Sequence, residues 1–432
     1  MWYSSVRGEV MENEFYRSRL IDEQIQYYLR IFGAVSIEGP KWSGKTWSAL
    51  HHAKSVVYIG SDAGNFQNKV LAETDPSLVL TGEKPRLIDE WQEVPRLWDA
   101  VRHAVDQSTQ KGQFILTGSS TPPYKGVLHS GVGRIAQIRM RPMSLFEMGR
   151  SSGAVSLKGL FAETFTPVAA DEVSLRTLVD VTLQGGWPGA LGFSAKEASD
   201  ISSKYIETIL TNDLGRVDDV KRSPHKMRLL LRSLARNVST TASVRTLMRD
   251  ITEHDEESLD SQTITSYLDV LSRLFLIENQ PPFSTNLRSS IRVKQMEKRH
   301  FTDPSLAAAL LGANAERLIG DLETFGFLFE SLCIRDLRIY AEASGYSISH
   351  YQDYENNEID AVVETDDGRW AAFEIKVGFH EVDKAAQNLK RIATRIGQHH
   401  KPAFLAVICG MSRASYRRDD GVYVLSPFML RN

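Results

Sequence analysis

The chain has 432 residues, 42% of them hydrophobic, with a formal net charge of −3 and a sequence pI near 6.4. That length suits about two to four domains with real cores, and the mild acidity excludes a global basic field for nucleic acid. The two cysteines, Cys333 and Cys409, lack zinc spacing and form no disulfide framework, which fits a reducing cytoplasm.

The opening stretch to Phe15 carries acids and no apolar core, so it does not read as a signal peptide. No run approaches the ~20 apolar residues of a membrane span, and no membrane partner is expected. Arg17 to Phe32 reads as an amphipathic packing helix through Leu20, Ile21, Ile25, Tyr28 and Leu29. Ala34 to Ile37 follows as a buried strand. Gly39-Pro40-Lys41-Trp42-Ser43-Gly44-Lys45-Thr46 then fits G-x-x-x-x-G-K-[ST], and Trp47 to Ala53 reads as a helix. Strand, glycine-bounded loop and helix together predict a phosphate-binding loop. Backbone N–H groups and the helix N-terminus face the phosphates. Lys45 is expected at the β- and γ-phosphates of ATP, and the Thr46 hydroxyl on Mg²⁺.

Ser55 to Ile59 is the next strand. Arg86 to Asp89 is an apolar strand ending in two acids, Asp89 and Glu90. Asp89 is the expected Mg²⁺ carboxylate, and Glu90 the base that orients and deprotonates water. After a helix over Pro95 to Gln107, the strand Phe114 to Gly118 leads into Ser119 and Ser120. Thr117 and Ser119 are both candidate γ-phosphate sensors, and the sequence does not separate them. Arg134, before the alternating strand Ile135 to Met140, is a candidate arginine finger acting on a neighbouring subunit. Pro142 opens a short predicted helix with Ser144 and Glu147 as its capping box.

Ser151 to Ala170 reads as a linker. Helices over Leu175 to Leu183 and Ala195 to Asp213 flank the breaker Gly185-Gly186-Trp187-Pro188-Gly189 and suggest a helical lid. Helices over Lys226 to Asn237, Ser243 to Ile251 and Ser261 to Phe275, with a wing to Leu287, suggest a winged helix-turn-helix. In a DNA-bound state the third helix would present Gln262, Thr263, Thr265, Ser266, Tyr267 and Arg273, with Arg288, Arg292, Lys294, Lys298 and Arg299 close behind. The last third has the order αβββαβ. Glu374 and Lys376 share one strand face by period two, and Asp360 can lie opposite. With Glu330 from the preceding helix, they form a candidate nuclease-like site for a second Mg²⁺ or Mn²⁺.

These blocks resemble bacterial and archaeal AAA-type ATPases that carry a C-terminal domain of unknown function related to PD-(D/E)XK nucleases. Besides the phosphate loop, the resemblance rests on Leu87-Ile88-Asp89-Glu90, Ile115-Leu116-Thr117-Gly118-Ser119, Gly133-Arg134 and Pro142 to Glu147. In the last third it rests on Phe301 to Leu306, Gly326 to Glu330, Glu358-Ile359-Asp360 and Glu374-Ile375-Lys376. Glu358-Ile359-Asp360 lacks the Pro-Asp of the nuclease pattern. The expected fold is α/β: a P-loop NTPase domain over 1–155, a helical lid or linker over 156–222, a winged helix over 223–300 and a PD-(D/E)XK nuclease-like α/β domain over 301–432. The leading function is Mg²⁺-dependent ATP hydrolysis acting on DNA or a protein partner. An ATP-dependent DNA nuclease and a slow-hydrolysing ATP switch stay open, as does assembly into a homo-oligomer.

Overall fold

The computed structural model describes residues 16–120, 130–169, 171–216, 220, 222–252, 260–286, 295–355, 357–396 and 400–432. The chain divides into two compact units, the first mainly up to Arg141 and the second mainly from Pro142 onward.

The first unit contains α1 (Ile21–Ile31), β1 (Ala34–Glu38), α2 (Lys45–His52), β2 (Ser55–Tyr58), β3 (Arg86–Asp89), α3 (Arg96–Asp106), β4 (Phe114–Gly118) and β5 (Ile135–Arg139). Its five strands are all parallel, in the order β2-β3-β4-β1-β5. Such a sheet is covered on both faces, so its strands are apolar throughout. Alternation assigns the faces: Ala34, Ile88 and Leu116 pack with Trp98 and Val101 of α3, while Val35, Leu87 and Ile115 pack with Ile25 of α1 and Ala49 of α2. The parallel direction brings the carboxyl ends of β1, β3 and β4 to one edge, where ligands of open α/β sheets bind. Arg134, just before β5, lies at the opposite edge, since Ile135 is in register with Ala34.

The short helix expected from Pro142 is a turn. Ser144 and Glu147 do bond reciprocally, at 2.8 Å from the Ser144 amide and 3.3 Å from the Glu147 amide. Gly149, at φ +72°, ends the turn before a helix can propagate.

The boundary expected at 155 falls inside the second unit, and apart from Arg216–Val220 and Arg273–Phe275 the segments 156–222, 223–300 and 301–432 share that unit. The expected linker is structured. It holds β6 (Val155–Ser156), α4 (Leu157–Phe161) and β7 (Val168–Ala169). Helices α5 (Leu175–Gln184) and α6 (Ala195–Thr208) of the expected lid pack on a later helix, Pro304–Leu311, within the same unit. Three further helices follow them: α7 (Pro224–Arg236), α8 (Val244–Thr252) and α9 (Ser261–Arg273). Beside these, isolated antiparallel bridges join Thr240 to Arg299, Ile277 to Phe301 and Gln280 to Lys298. Leu287, Arg288, Arg292 and Lys294 lie outside the described residues. Two expected DNA contacts are buried instead: Tyr267 of α9 is 6% exposed, and Lys298 is 1% exposed.

Helices α10 (Pro304–Leu311), α11 (Ala315–Gly320) and α12 (Leu322–Ala343) lead into β8 (Ser347–Gln352), β9 (Glu358–Glu364), β10 (Trp370–Lys376), α13 (Val382–Ile396), β11 (Phe404–Cys409), β12 (Ala414–Arg417), β13 (Tyr423–Leu425) and β14 (Leu430–Arg431). The mixed sheet runs β7-β12-β13-β11-β10-β9-β8, and β14 pairs with β6. Pairing of β7 with β12 and of β6 with β14 is why the expected linker belongs here. Helix α13 buries Ala385, Leu389 and Ile392 against Ala372, Val407 and Val424.

Arg335, mid-way along α12, is buried between Asp303 at 2.8 Å and Asp336 at 2.7 Å. Asp303 also takes the Gly186 amide, and Asp336 the Leu145 amide. The breaker glycines are explained here: a Cβ at Gly185 would meet Asp303 Oδ1 at 2.4 Å, and one at Gly186 would meet Met143 O at 2.1 Å. Arg335→Ala leaves two buried carboxylates without their cation, so it should lower stability by about 3–5 kcal/mol in denaturant titration. A change within experimental error would show that these acids find other partners.

Candidate functional site

The phosphate loop joins β1 to α2. Gly39 is required by close approach, since a Cβ there would meet Met140 O at 2.1 Å. Gly44, at φ +96°, caps α2 in the left-handed region, and Trp42 shares that region at φ +68°. Pro40 O accepts from Lys45 Nζ at 2.8 Å, which curls the lysine back over the loop. Ser43 O is held by Arg19 Nη1 at 2.9 Å. Ser43 Oγ is buried with no hydrogen-bond partner among the described residues. Lys41 lies in the same loop, half-buried.

Lys45 is buried, and burial pulls its pKa down to about 8 against the pull of Glu90 and Asp89. Asp89 is pushed up by burial, opposed by the hydroxyls of Thr117 and Thr46. Those hydroxyls donate to Asp89 Oδ1 at 2.6 and 2.8 Å. A desolvated lysine, a desolvated carboxylate and an unpartnered buried hydroxyl fit a triphosphate with its cation. Lys45 and Ser43 would take the phosphates, and Thr46 with Asp89 would hold Mg²⁺.

Glu90 adopts φ +58°, in the left-handed region. Its Oε2 accepts from Ser119 Oγ at 2.9 Å and from the Gln92 amide. Its backbone amide donates to Thr117 Oγ1 at 3.2 Å. The two sensor candidates thereby separate: Thr117 touches Asp89, and Ser119 touches Glu90. Gln92 was not legible in the sequence, because nothing in Trp91-Gln92-Glu93 marks a glutamine folding back on Glu90. Arg134 stands apart from these residues. It pairs with Asp106 at 2.8 Å and its side chain is half exposed.

The second unit brings Glu330, Asp360, Glu374 and Lys376 together. Phe373 pairs with Ala361 across β9 and β10, so the register sets Glu374 opposite Asp360. Lys376 Nζ lies 2.9 Å from Glu374 and 3.7 Å from Asp360. The Ile375 amide donates to Asp360 Oδ2 at 2.8 Å, and Asn388 Nδ2 to Glu374 Oε1 at 3.1 Å. Two members were missed. Glu358 and Lys298 meet at 2.5 Å, and Lys298 also reaches Glu330 at 2.6 Å and Asp360 at 3.6 Å. Burial raises Glu330 and Glu374 to about 8 each, while burial of Asp360 is outweighed by Lys376 and Lys298, which hold it low. A groove of 880 Å³ opens beside the cluster, lined by Glu330, Lys376, Phe327, Phe379, His380 and Arg413 among others. Every one of the four carboxylates is in contact with an ammonium group. Among the described residues, no three His, Cys, Asp or Glu are arranged to hold a metal ion. A second Mg²⁺ or Mn²⁺ at this cluster is not shown.

Three family models match parts of the chain: an AAA domain over residues 32–149, a domain of unknown function (DUF8612) over 175–317, and another (DUF4143) over 325–428. An uncharacterized protein of Mycobacterium tuberculosis is 25% identical over 347 residues, covering 79% of this chain and 70% of that one. Among solved structures, the Walker-type ATPase of Pyrococcus abyssi aligns at 14% identity and TM-score 0.43, over 71% of this chain and 99% of that one. RuvB of Thermotoga maritima aligns at 15% identity and TM-score 0.25, over 60% of this chain and 89% of that one. The match of residues 32–149 to an AAA domain supports ATP binding. No helix among the described residues is long and apolar enough to cross a membrane.

Glu330 gives a pH prediction. Its carboxyl ionises near 4.5 ordinarily but near 8 in the fold. Between those values the folded chain keeps a proton that the unfolded chain releases, so this residue costs stability increasingly as pH rises through the window. The melting temperature of Glu330→Gln relative to wild type should therefore climb from pH 5 to pH 8. A difference that stays flat or falls would mean Glu330 is ionised throughout.

Proposed function

We propose that the chain is a Mg²⁺-dependent ATPase whose second unit carries the effect of turnover to DNA or to a protein partner. The observation that carries this reading is the carboxylate pair at the end of β3. Asp89 is fixed by Thr46 and Thr117, and Glu90 is aimed separately by Ser119 and Gln92. One carboxylate is thus dedicated to the cation and the other is free to take a proton.

In this reading Lys45 and the loop amides bind the β- and γ-phosphates. Bound Mg²⁺ would offset the charge that develops on the transferred phosphoryl group. Glu90 Oε accepts the proton of the attacking water, and Ser119 and Gln92 hold that carboxylate in line. Thr117 keeps Asp89 oriented as the nucleotide changes. The winged-helix reading of α7 to α9 is supported by the bridges of Thr240 with Arg299 and of Gln280 with Lys298. On α9 it leaves Gln262, Thr265 and Ser266 exposed for a partner. The PD-(D/E)XK nuclease-like reading of the last sheet is supported by Asp360, Glu374 and Lys376 meeting on adjacent strands. Their pairing with lysines favours a binding module over an ATP-dependent nuclease.

Glu90→Gln keeps the side chain's shape and loses the base. Turnover should fall by roughly 10²–10⁴-fold while ATP affinity, read by calorimetry, holds. Normal hydrolysis in this variant would show that water is activated elsewhere. Wild-type turnover far slower than once in minutes would favour the slow switch.

Arg134, at the sheet edge away from its own loop, is assigned as a finger for a neighbouring copy. Mixing inactive Lys45→Ala with inactive Arg134→Ala protein should restore part of the activity, because some interfaces then pair an intact site with an intact finger, worth about 10³–10⁵ in rate. A mixture that stays inactive would place both parts in one subunit.

A further inference from the structure

We infer that Lys298 is a built-in counter-cation for the acidic pocket of the second unit, occupying the position at which Glu330, Glu358 and Asp360 converge and closing that pocket to a divalent metal. The inference is independent of the ATPase reading, since it concerns only side chains of the second unit.

Lys298 comes from a segment far in sequence from β9 and β10. Its side chain is 2% exposed, and its ammonium lies 2.6 Å from Glu330, 2.5 Å from Glu358 and 3.6 Å from Asp360. Lys376 is differently placed. It is 29% exposed, faces the groove, and serves Glu374 and the other oxygen of Asp360. Asp360 is thus bracketed by two ammonium groups, one buried and one open to solvent. A divalent cation needs several oxygen ligands at about 2.0–2.6 Å. Each oxygen cluster that would supply them already surrounds an ammonium, and a dication there would lie against that charge in a low-dielectric site.

The backbone around Lys298 holds it in place. Its amide donates to Gln280 O at 3.0 Å, and the Gln280 amide donates back at 2.9 Å. The Gln280 side chain donates to Ser349 O at 2.8 Å and to Asp360 O at 3.1 Å. His300 Nε2 lies 3.2 Å from Gln280 Oε1. The segment that carries the lysine is therefore tied through Gln280 to β8 and to β9, the strand that carries Glu358 and Asp360.

The test uses the full chain without nucleotide and counts bound Mn²⁺ by the loss of the free-ion electron paramagnetic resonance signal. An Asp89→Asn background silences the phosphate loop. Wild type in that background should bind no Mn²⁺ at this pocket. Lys298→Met should gain about one Mn²⁺ per chain, and adding Asp360→Asn should remove it. Lys298→Met/Glu330→Gln, which deletes an acid along with the lysine, is the second variant should the first fail to fold, and it should gain the same ion. Mn²⁺ bound by the unsubstituted pocket and lost with Asp360→Asn would overturn the inference. So would a folded Lys298 variant that binds none.

Discussion

Helix α12 is buried from Leu328 to Ala341, yet that stretch carries Glu330, Arg335, Asp336 and Arg338. A charge in such a place persists only if an opposite charge or a set of hydrogen bonds meets it. That requirement organises the second unit. Arg335 draws in Asp303 and Asp336, and through them the amides of Gly186 and Leu145. Glu330 draws in Lys298, and Arg338 meets Glu278 at 3.4 Å. Segments separated by more than a hundred residues are tied to one helix because its charges have no solvent to face.

The first unit follows the opposite logic. Its sheet core is apolar, and its polar groups gather where the parallel strands end. There Lys45 and Asp89 are desolvated together, and burial lowers the pKa of the one and raises that of the other. Glu90 is set apart by its own backbone conformation. One strand end thus presents two consecutive carboxylates in two settings, distinguished by the hydroxyls each one meets.

Much of the first unit was legible because its signals are local. A glycine-bounded loop, an apolar strand ending in acids and a strand ending in hydroxyls are each read within ten residues. The second unit was legible only in part. Strand period two and the hairpin of β9 and β10 brought Asp360, Glu374 and Lys376 together in the sequence reading. Lys298 looked like one more basic residue after a wing, because nothing within its own neighbourhood says that Glu330 and Glu358 surround it. The same holds for Gly185 and Gly186, which read as a breaker and turn out to be where Asp303 and Met143 come too close for a side chain. The linker around Val155 and Val168 misled for a similar reason: its partners, β14 and β12, are more than two hundred residues away.

The register between β9 and β10 limits how this hairpin can vary. Glu374 stands opposite Asp360, and Thr365 to Arg369 form the connection between the two strands. Moving either strand by one residue would turn its acid to the other side of the sheet. Length changes in that connection are therefore free only where the hairpin absorbs them without a slip. Parity, and not only residue identity, is constrained at this place: a sequence that keeps the acids and the lysine but shifts the pairing by one loses the pocket while keeping its letters.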